Sequence, residues 1–218
     1  MAFSDRHGGV SEAPYDTLNL ALRGGDVREH VLENRKRAAG AAGFPAGDLA
    51  LSRQVHGREL IEVRAGDSGV RGDADGLITR VAGPVIAILS ADCGTVVVEG
   101  ADGLAVLHAG WRGLVAGVIE AGVVALGSPV RAWIGPCIRS CCYEVGSEVA
   151  EAFHSNDLPV ADRKHVDIAE AATMALSRAG VSDVAVSDAC TCCDPSYFSY
   201  RRDGVTGRQG AFAAWLGR

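Results

Sequence analysis

The sequence predicts an α+β protein that folds as one domain over residues 1–218. Strand-like apolar runs dominate the centre of the chain, about three helical segments lie around them, and no repeat or linker divides the 218 residues. Hydrophobic residues make up 48% of the chain and charged residues 22%, a balance typical of globular proteins. A chain of this length buries a substantial core.

Charge and composition exclude several classes of partner. The net charge is −6 and no long run of lysine or arginine occurs, so we expect no general binding to nucleic acid. The N-terminal residues form no apolar leader, and no apolar run approaches the length of a membrane span. We therefore expect a cytoplasmic protein without membrane contact. A monomer is expected because the sequence shows no surplus apolar surface.

The first half of the chain alternates helix, strands and turns. After a strand, a turn and a loop, the segment 26–42 has apolar residues at helical spacing, with Asp26 as the predicted N-cap. Two strand-like runs then flank His56. A turn containing Asp73 and Asp75 precedes the buried run VAGPVIAILS. These aspartates predict a plain turn, with a cation site as the alternative.

The stretch SADCGTVVVEGADGLAVLHAGWRG is the centre of the prediction. VVVE and LAVLH read as two strands joined by a turn at Asp102. Cys93 precedes the first strand and His108 closes the second. Because the two outer ends of a hairpin lie together, we expect Cys93 and His108 to approach each other.

The second half adds helices and two cysteine groups. HAGWRG is a bend leading into one helix, a strand follows, and further helices begin near Gly146 and end at Gly180. A strand and a final strand close the chain. The cysteine groups lie in loops and favour small buried apolar residues over a structural zinc finger: Cys137, Cys141, Cys142, Cys190, Cys192 and Cys193.

His56, Cys93 and His108 form a suitable ligand set for zinc. Two imidazoles and a thiolate occupy three positions and leave the fourth for water or substrate, as in catalytic zinc sites. A blue-copper centre is an alternative that generally adds an axial methionine, and neither Met1 nor Met174 is in a loop beside these residues, although a glutamine or a backbone oxygen could take that place. A copper-cluster oxidase needs many histidines, commonly in His-x-His pairs. The chain has six histidines and no such pair.

Two further interpretations need no catalytic metal. Cys93 could act as a nucleophile with His108 as its base in amide hydrolysis. Alternatively, the cysteine groups could make the chain a thiol-rich metal-binding protein without enzymatic activity. Seven cysteines without a secretory leader favour reduced thiols or metal ligands over a disulfide framework.

Nine motifs, in order, resemble the YfiH-like family, which is also called the laccase-domain or polyphenol oxidoreductase family, the purine nucleoside phosphorylase family and the peptidoglycan editing factor. They are RHGGVS with YDTLNL, the Asn34-Arg35 pair, QVHG, DADGLIT, ADC, HAGWRG, IGP, YEVG and FSYRRDGVTGR. HAGWRG and SYRRDGVTGR are the most specific. The resemblance covers nearly the whole chain.

The resemblance implies an α-β-β-α sandwich with mixed sheets, similar to the cytotoxic necrotizing factor deamidase toxins. It implies that His56, Cys93 and His108 bind catalytic zinc. It also implies phosphorolysis of adenosine, inosine or methylthioadenosine, and deamination of adenosine. Editing of a peptidoglycan precursor and copper-dependent oxidation of polyphenols are the alternative activities.

Roles for further residues follow from this hypothesis. Asp92 is the predicted carboxylate that moves protons or supports a ligand histidine. Arginines suit phosphate because their planar forks donate two parallel hydrogen bonds. We expect substrate or phosphate to contact Arg53, Arg112, Arg201 and Arg202.

Overall fold

Two mixed β-sheets lie face to face at the centre of the protein, as described by a computed structural model over residues 1–45, 49–162 and 164–217. The strands are β1 Ala2–Phe3, β2 Leu49–Arg53, β3 Leu60–Val63, β4 Gly69–Asp73, β5 Gly76–Thr79, β6 Val85–Ser90, β7 Gly94–Gly100, β8 Gly103–Ala109, β9 Pro129–Ile134, β10 Val184–Val186 and β11 Gln209–Ala214. The helices are α1 Arg28–Ala41, α2 Trp111–Ala116, α3 Val118–Leu126, α4 Ser147–Ser155, α5 Ile168–Arg178 and α6 Tyr200–Asp203.

Both sheets combine parallel and antiparallel pairs. The five-stranded sheet has the order β1-β11-β6-β2-β4, with β2 parallel to both β6 and β4. The six-stranded sheet has the order β10-β9-β7-β8-β5-β3, with parallel pairs at both ends. The predicted α+β class with two mixed sheets is confirmed.

The strand pattern builds a four-layer sandwich because alternate side chains face opposite sides of a sheet. In β6, Ile86 and Ile88 pack between the sheets, whereas Val85 and Ala87 face outward toward the layer of α1. In β8, Val106 packs between the sheets, whereas the alternate residues pack against the layer of α2 to α5. The described helices are all too short or too polar to cross a membrane.

The predicted hairpin forms as expected. β7 and β8 pair in an antiparallel register that places Thr95 opposite His108, and Asp102 lies in the turn between the strands. Cys93 immediately precedes β7. The outer ends of these two central strands of the six-stranded sheet therefore lie together.

Three predictions about helices are wrong. Asp26 does not cap α1: the helix begins at Arg28 after Val27, and the Asp26 carboxylate instead accepts hydrogen bonds from Ser11 at 2.6 Å and Asn19 at 2.8 Å. The single helix predicted after HAGWRG is two helices, because Gly117 lies between them in the left-handed conformation with φ 84°. The described residues form six helices, not about three.

A candidate metal centre where the chain passes between the sheets

His56, Cys93 and His108 converge as the sequence predicts. Their ligand atoms all lie within 4.8 Å of one another, and the two imidazole ring centroids are 4.9 Å apart with the planes inclined by 72°. His108 is buried, Cys93 is half-buried and His56 is exposed. This gradient leaves the group open on the side of His56.

His56 and Cys93 both lie in connections where the chain passes from one sheet to the other. His56 lies between β2 of one sheet and β3 of the other, and Cys93 lies between β6 and β7 in the same way. His56 has a positive φ of 62°, a conformation that non-glycine residues rarely adopt. Its backbone must therefore be held by other groups.

Asp75 is the group that holds it. The Asp75 carboxylate accepts hydrogen bonds from the backbone N–H groups of Val55, His56 and Gly57 at 3.1, 2.9 and 2.7 Å. One of its oxygens also lies 2.8 Å from Nδ1 of His108, and its backbone oxygen accepts from the His108 N–H at 2.7 Å. Asp75 is fully buried. One side chain thus fixes the positions of both histidines.

The hydrogen bond to Asp75 also determines which nitrogen of His108 can bind an ion. With Nδ1 directed at the carboxylate, Nε2 is the nitrogen left for a metal. Carboxylate–histidine pairs of this kind orient metal ligands and make them more basic. The donor set and its supporting contact therefore fit zinc, with His56, Cys93 and His108 as ligands and the fourth position left open.

The charges of Cys93 and His108 depend on each other. Burial by itself raises the pKa of the Cys93 thiol, but the charge of His108 and hydrogen bonds from both histidines lower it to about 6. Burial by itself lowers the pKa of His108, but the charge of Cys93 and the hydrogen bond to Asp75 raise it to about 9. Each of these two groups therefore favours the charged form of the other.

Gly110 provides the space for this group. A Cβ atom at this position would lie 3.0 Å from Sγ of Cys93 and 3.2 Å from Cδ2 of His56. Gly110 is the N-cap of α2 and has an ordinary φ of −75°. Glycine is therefore required here by the close approach of the ligands and not by the backbone conformation.

Asp92 contacts different groups from those expected of a histidine partner. Its carboxylate accepts hydrogen bonds from the Thr191 hydroxyl and the Arg201 backbone N–H, both at 2.7 Å. Its backbone is in the left-handed region at φ 95°. Asp92 thus anchors the segment immediately before Cys93, while Asp75 is the residue that contacts His108.

A cavity of about 630 Å³ opens from the metal-ligand group. Besides His56, Cys93 and His108, four arginines and one tyrosine line it: Arg23, Arg35, Arg53, Arg208 and Tyr200. The volume is in the range of small-molecule sites. Burial and, to a smaller extent, the nearby charge of Arg28 lower the pKa of Arg35 to about 10.

Of the four arginines named from sequence, Arg53 lines the cavity. The other three make the following contacts elsewhere. Arg112 packs over the Trp111 ring and Arg201 packs over the Tyr143 ring, with guanidinium carbons 4.2 and 5.1 Å from the ring centroids. Arg202 donates to the backbone oxygens of Thr191, Cys192, Asp194 and Tyr197 and pairs with Asp203. Its guanidinium therefore braces the loop of the second cysteine group.

Sequence reasoning missed three residues of this site. Asp75 was read as a turn residue, although its place in the DADG motif before a buried strand was visible. From the sequence Arg35 is only part of the Asn34-Arg35 motif, yet its Nε donates to the Leu20 oxygen at 2.9 Å and its side chain lines the cavity. Arg208 lies in the FSYRRDGVTGR motif, whose arginines suit phosphate, but it is not among the four arginines predicted to contact substrate or phosphate. Only the folded chain places these arginines beside His56.

The cysteines of the second half also come together. Sulfur atoms of Cys141, Cys142, Cys190 and Cys193 all lie within 4.8 Å of one another. The interpretation as buried apolar residues holds for Cys137 and Cys190, which are buried, and is wrong for Cys141 and Cys193, which are exposed.

Comparison with known proteins identifies the family. Residues 1–216 match the family described as multi-copper polyphenol oxidoreductase laccase. The chain belongs to this family. The predicted membership is therefore confirmed.

Relatives in this family carry a different functional name. Purine nucleoside phosphorylase YfiH of Escherichia coli (strain K12) is 39% identical over 226 residues, which cover 98% of this chain and 92% of the relative. Purine nucleoside phosphorylase of Xylella fastidiosa is 40% identical over 232 residues, covering 96% and 88%. These names suggest an enzyme acting on nucleosides and phosphate.

Solved structures of relatives share the fold. The crystal structure of YlmD from Geobacillus stearothermophilus has a TM-score of 0.91 at 32% identity and covers 97% of this chain and 90% of that one. The hypothetical protein YfiH of Bacillus licheniformis has a TM-score of 0.89 at 30% identity, covering 96% and 90%.

Proposed function

We propose that this protein is a zinc-dependent purine nucleoside enzyme that cleaves adenosine, inosine and methylthioadenosine with phosphate and also deaminates adenosine. The observation that carries the proposal is the convergence of two imidazoles and one thiolate on the wall of a cavity that four arginines also line. The names of the relatives support the same substrate class.

Zinc would be held by His56, Cys93 and His108. When bound, it would supply Lewis acidity toward an oxygen atom and favour deprotonation of water. Residues of the protein would orient the ligands and move protons. Asp75 orients both histidines through its five hydrogen bonds and thereby keeps the ligand geometry fixed. Asp92, immediately before Cys93, is our candidate for moving a proton.

The cavity has groups for both parts of the substrate pair. The positive charges of Arg35, Arg53 and Arg208 suit the phosphate anion. The exposed ring of Tyr200 at the cavity offers a flat apolar surface for a purine base. Arg112 and Arg201, which pack over the rings of Trp111 and Tyr143, are the further arginines that the proposal offers to an anion.

We propose zinc over copper because the ligand set is a single three-residue group. The other four histidines, His7, His30, His154 and His165, belong to neither of the two metal-competent groups found among the described residues. A copper cluster would need more imidazoles than this site offers. Elemental analysis of the purified protein should find zinc, and stoichiometric copper with oxidation of polyphenols would contradict the proposal.

The main experiment incubates the purified protein with adenosine, with and without phosphate, and separates the products by chromatography. Phosphorolysis yields adenine and ribose 1-phosphate only when phosphate is present, whereas deamination yields inosine and ammonia in either case. Activity should disappear after chelation and return with zinc. Unchanged turnover in Cys93→Ala would refute the mechanism.

A second experiment locates the anion site. Arg208→Ala should raise the KM for phosphate by about tenfold or more, because it removes a charge-assisted contact. Arg131→Ala, which removes an exposed arginine paired with Asp183, is the control and should leave KM unchanged. Arg53→Ala, Arg112→Ala, Arg201→Ala and Arg202→Ala then test the remaining candidates.

The chain of contacts Asp75, His108 and Cys93 supports a second candidate function. A carboxylate orienting an imidazole beside a thiolate is the arrangement of a nucleophilic hydrolase. Such an enzyme would cleave an amide bond, for example in a peptidoglycan precursor, with full activity in chelator. A covalent adduct on Cys93 with turnover of amides and not of nucleosides would favour this alternative.

We also propose a monomeric protein of the cytoplasm. All seven cysteines lie in the described part of the chain and none is in a disulfide, including pairs whose sulfur atoms are 3.2 and 3.5 Å apart, which suits a reducing compartment. Size-exclusion chromatography with light scattering should give the mass of one chain. A dimer mass at micromolar concentration would contradict the monomer.

A further inference from the structure

A cluster of four thiols lies outside the site described above. The cluster consists of Cys141 and Cys142, which follow β9, and Cys190 and Cys193, which follow β10. Sγ of Cys193 is 3.2 Å from Sγ of Cys142 and 3.5 Å from Sγ of Cys141, and all four sulfur atoms lie within 4.8 Å of one another. We propose that this thiol cluster is a structural zinc site with four cysteine ligands.

The distances fit a tetrahedral ion. With Zn–S bonds of about 2.3 Å, tetrahedral geometry places the sulfur atoms about 3.8 Å apart. The observed separations of 3.2 and 3.5 Å are close to that value and well above the length of about 2.05 Å of a disulfide bond. Cys193 also lies close to two sulfur atoms, those of Cys141 and Cys142, which a single disulfide would not require. A four-thiolate tetrahedral set is typical of zinc.

The two loops are already held in register without an ion. Cys137 and Cys190 form an isolated parallel bridge, and the Thr191 N–H donates to the Cys137 oxygen at 3.1 Å. Arg202 donates to the oxygens of Thr191, Cys192 and Asp194, which fixes the loop between the ligands. The ligands are therefore preorganised, so binding need not order the backbone.

Zinc binding to the thiol cluster releases the thiol protons to solvent. One Zn²⁺ replaces the four thiol protons, four Zn–S bonds form, and the resulting site carries a net charge of −2 within the ligand set. No oxidant or reductant is needed. The site is closed because four protein ligands complete the coordination, so its role is structural and not catalytic.

The same two loops hold the residue before Cys93. The Ile138 N–H donates to the Asp92 oxygen at 2.9 Å, and the Thr191 hydroxyl donates to the Asp92 carboxylate at 2.7 Å. Ile138 follows Cys137, and Thr191 follows Cys190. An ion in the thiol cluster would thus stabilise both supports of Asp92 and, through it, the position of Cys93.

Metal content distinguishes this site from the first one. Protein purified in reducing buffer without chelator, from zinc-supplemented cells, is measured by elemental analysis. Wild type should contain two zinc ions per chain, Cys193→Ser one, Cys93→Ser one and the double variant none. Cys192→Ser is the matched control, since Cys192 is adjacent to Cys193 but is not in the four-thiol group, and it should contain two.

The outcomes separate this proposal from the proposed function. Equal metal content in wild type and Cys193→Ser overturns the thiol site, whatever the result for Cys93→Ser. A loss of metal only in Cys193→Ser supports the thiol site and counts against the His56, Cys93 and His108 centre. Circular dichroism of each variant checks that it is folded.

Cobalt provides a measurement on the unaltered chain. Metal-free wild type titrated with Co²⁺ should show the intense charge-transfer and visible bands of tetrahedral cobalt with four thiolates, and Cys93→Ser should keep those bands. Their absence from wild type would overturn the proposal. So would recovery of a Cys142–Cys193 or Cys141–Cys193 disulfide by mass spectrometry from protein kept in reducing buffer.

Discussion

At the scale of single residues, Asp75 organises the candidate metal centre. It is buried, it holds the backbone on both sides of His56, and it contacts Nδ1 of His108. The carboxylate therefore acts on both histidines without being a ligand of the ion. Supporting residues of this type commonly change metal affinity by 10- to 100-fold.

Asp75→Asn should lower zinc affinity by roughly 10- to 100-fold, because the amide is neutral and cannot accept all of the hydrogen bonds. Competition with a chromophoric chelator measures this loss. Asp102→Asn, at the exposed turn of the hairpin, is the matched control and should retain the wild-type affinity. Equal affinities in the two variants would contradict the assigned role of Asp75.

Gly110→Ala should weaken zinc binding while leaving the fold intact. Its Cβ would come within 3.0 Å of the Cys93 sulfur and 3.2 Å of His56, so the ligands must move apart. Gly146→Ala is the control, because Gly146 is also a helix N-cap with φ −76° and its Cβ would meet nothing within 4 Å. Isothermal titration with zinc compares them. A similar loss in both variants would assign the effect to the helix cap.

At the scale of elements, α5 depends on one buried carboxylate. Asp167 caps the helix through the N–H groups of Ala169 and Glu170, and it pairs with Arg139 at 2.9 Å. Burial raises the pKa of Asp167, but the hydrogen bonds from Arg139 and from the N–H groups of Ser140 and Glu170 lower it more. The net effect is a pKa below the usual value of 3.8.

Asp167→Asn should destabilise the protein by about 1–3 kcal/mol at pH 7, since it leaves the half-buried Arg139 without its partner. Because the folded pKa lies below the unfolded value, the carboxylate stabilises the fold above about pH 4, and this contribution is lost as the pH falls through the folded pKa. The difference between variant and wild type should therefore shrink under acid. Urea unfolding at several pH values measures it.

Asp183→Asn is the control for this pair. Asp183 and Arg131 are about half exposed, and exposed ion pairs contribute about 0–1 kcal/mol. A loss at Asp167 no larger than that at Asp183, or one that does not change with pH, would show that the buried pair does not stabilise α5.

At the scale of the whole molecule, the candidate metal centre lies where the chain passes from one sheet to the other. The connections β2 to β3, β4 to β5 and β6 to β7 carry His56, Asp75 and Cys93, respectively, and His108 lies on β8 beside them. An ion bound there would therefore link segments that belong to both sheets.

Zinc should consequently raise the melting temperature of the protein. At a free concentration of 100 times Kd, one site adds about 2.7 kcal/mol, which corresponds to about 5–10 °C for a chain of this size. The measurement uses Cys193→Ser, so that only the His56, Cys93 and His108 centre responds. In Cys93→Ser/Cys193→Ser the shift should vanish, and an equal shift there would refute a folded-state site at Cys93.

Local sequence patterns predict most of the strands and the grouping of His56, Cys93 and His108. The hairpin β7–β8 was predicted because turn residues separate two alternating apolar runs, and its geometry alone brings Cys93 to His108. Helix boundaries were less accurate. Asp26 has the side chain of an N-cap, but contacts with Ser11 and Asn19 across the fold compete for its carboxylate.

The sequence by itself determined the α+β class, the family and the three side chains that converge, because periodicity and short motifs encode them locally. Tertiary structure decided which groups support and surround them. Asp75, Arg35 and Arg208 gained their roles, and cysteines from two separate loops became one cluster, through contacts between distant segments. Such contacts depend on how the two sheets and their connecting loops pack, and local patterns do not specify that packing.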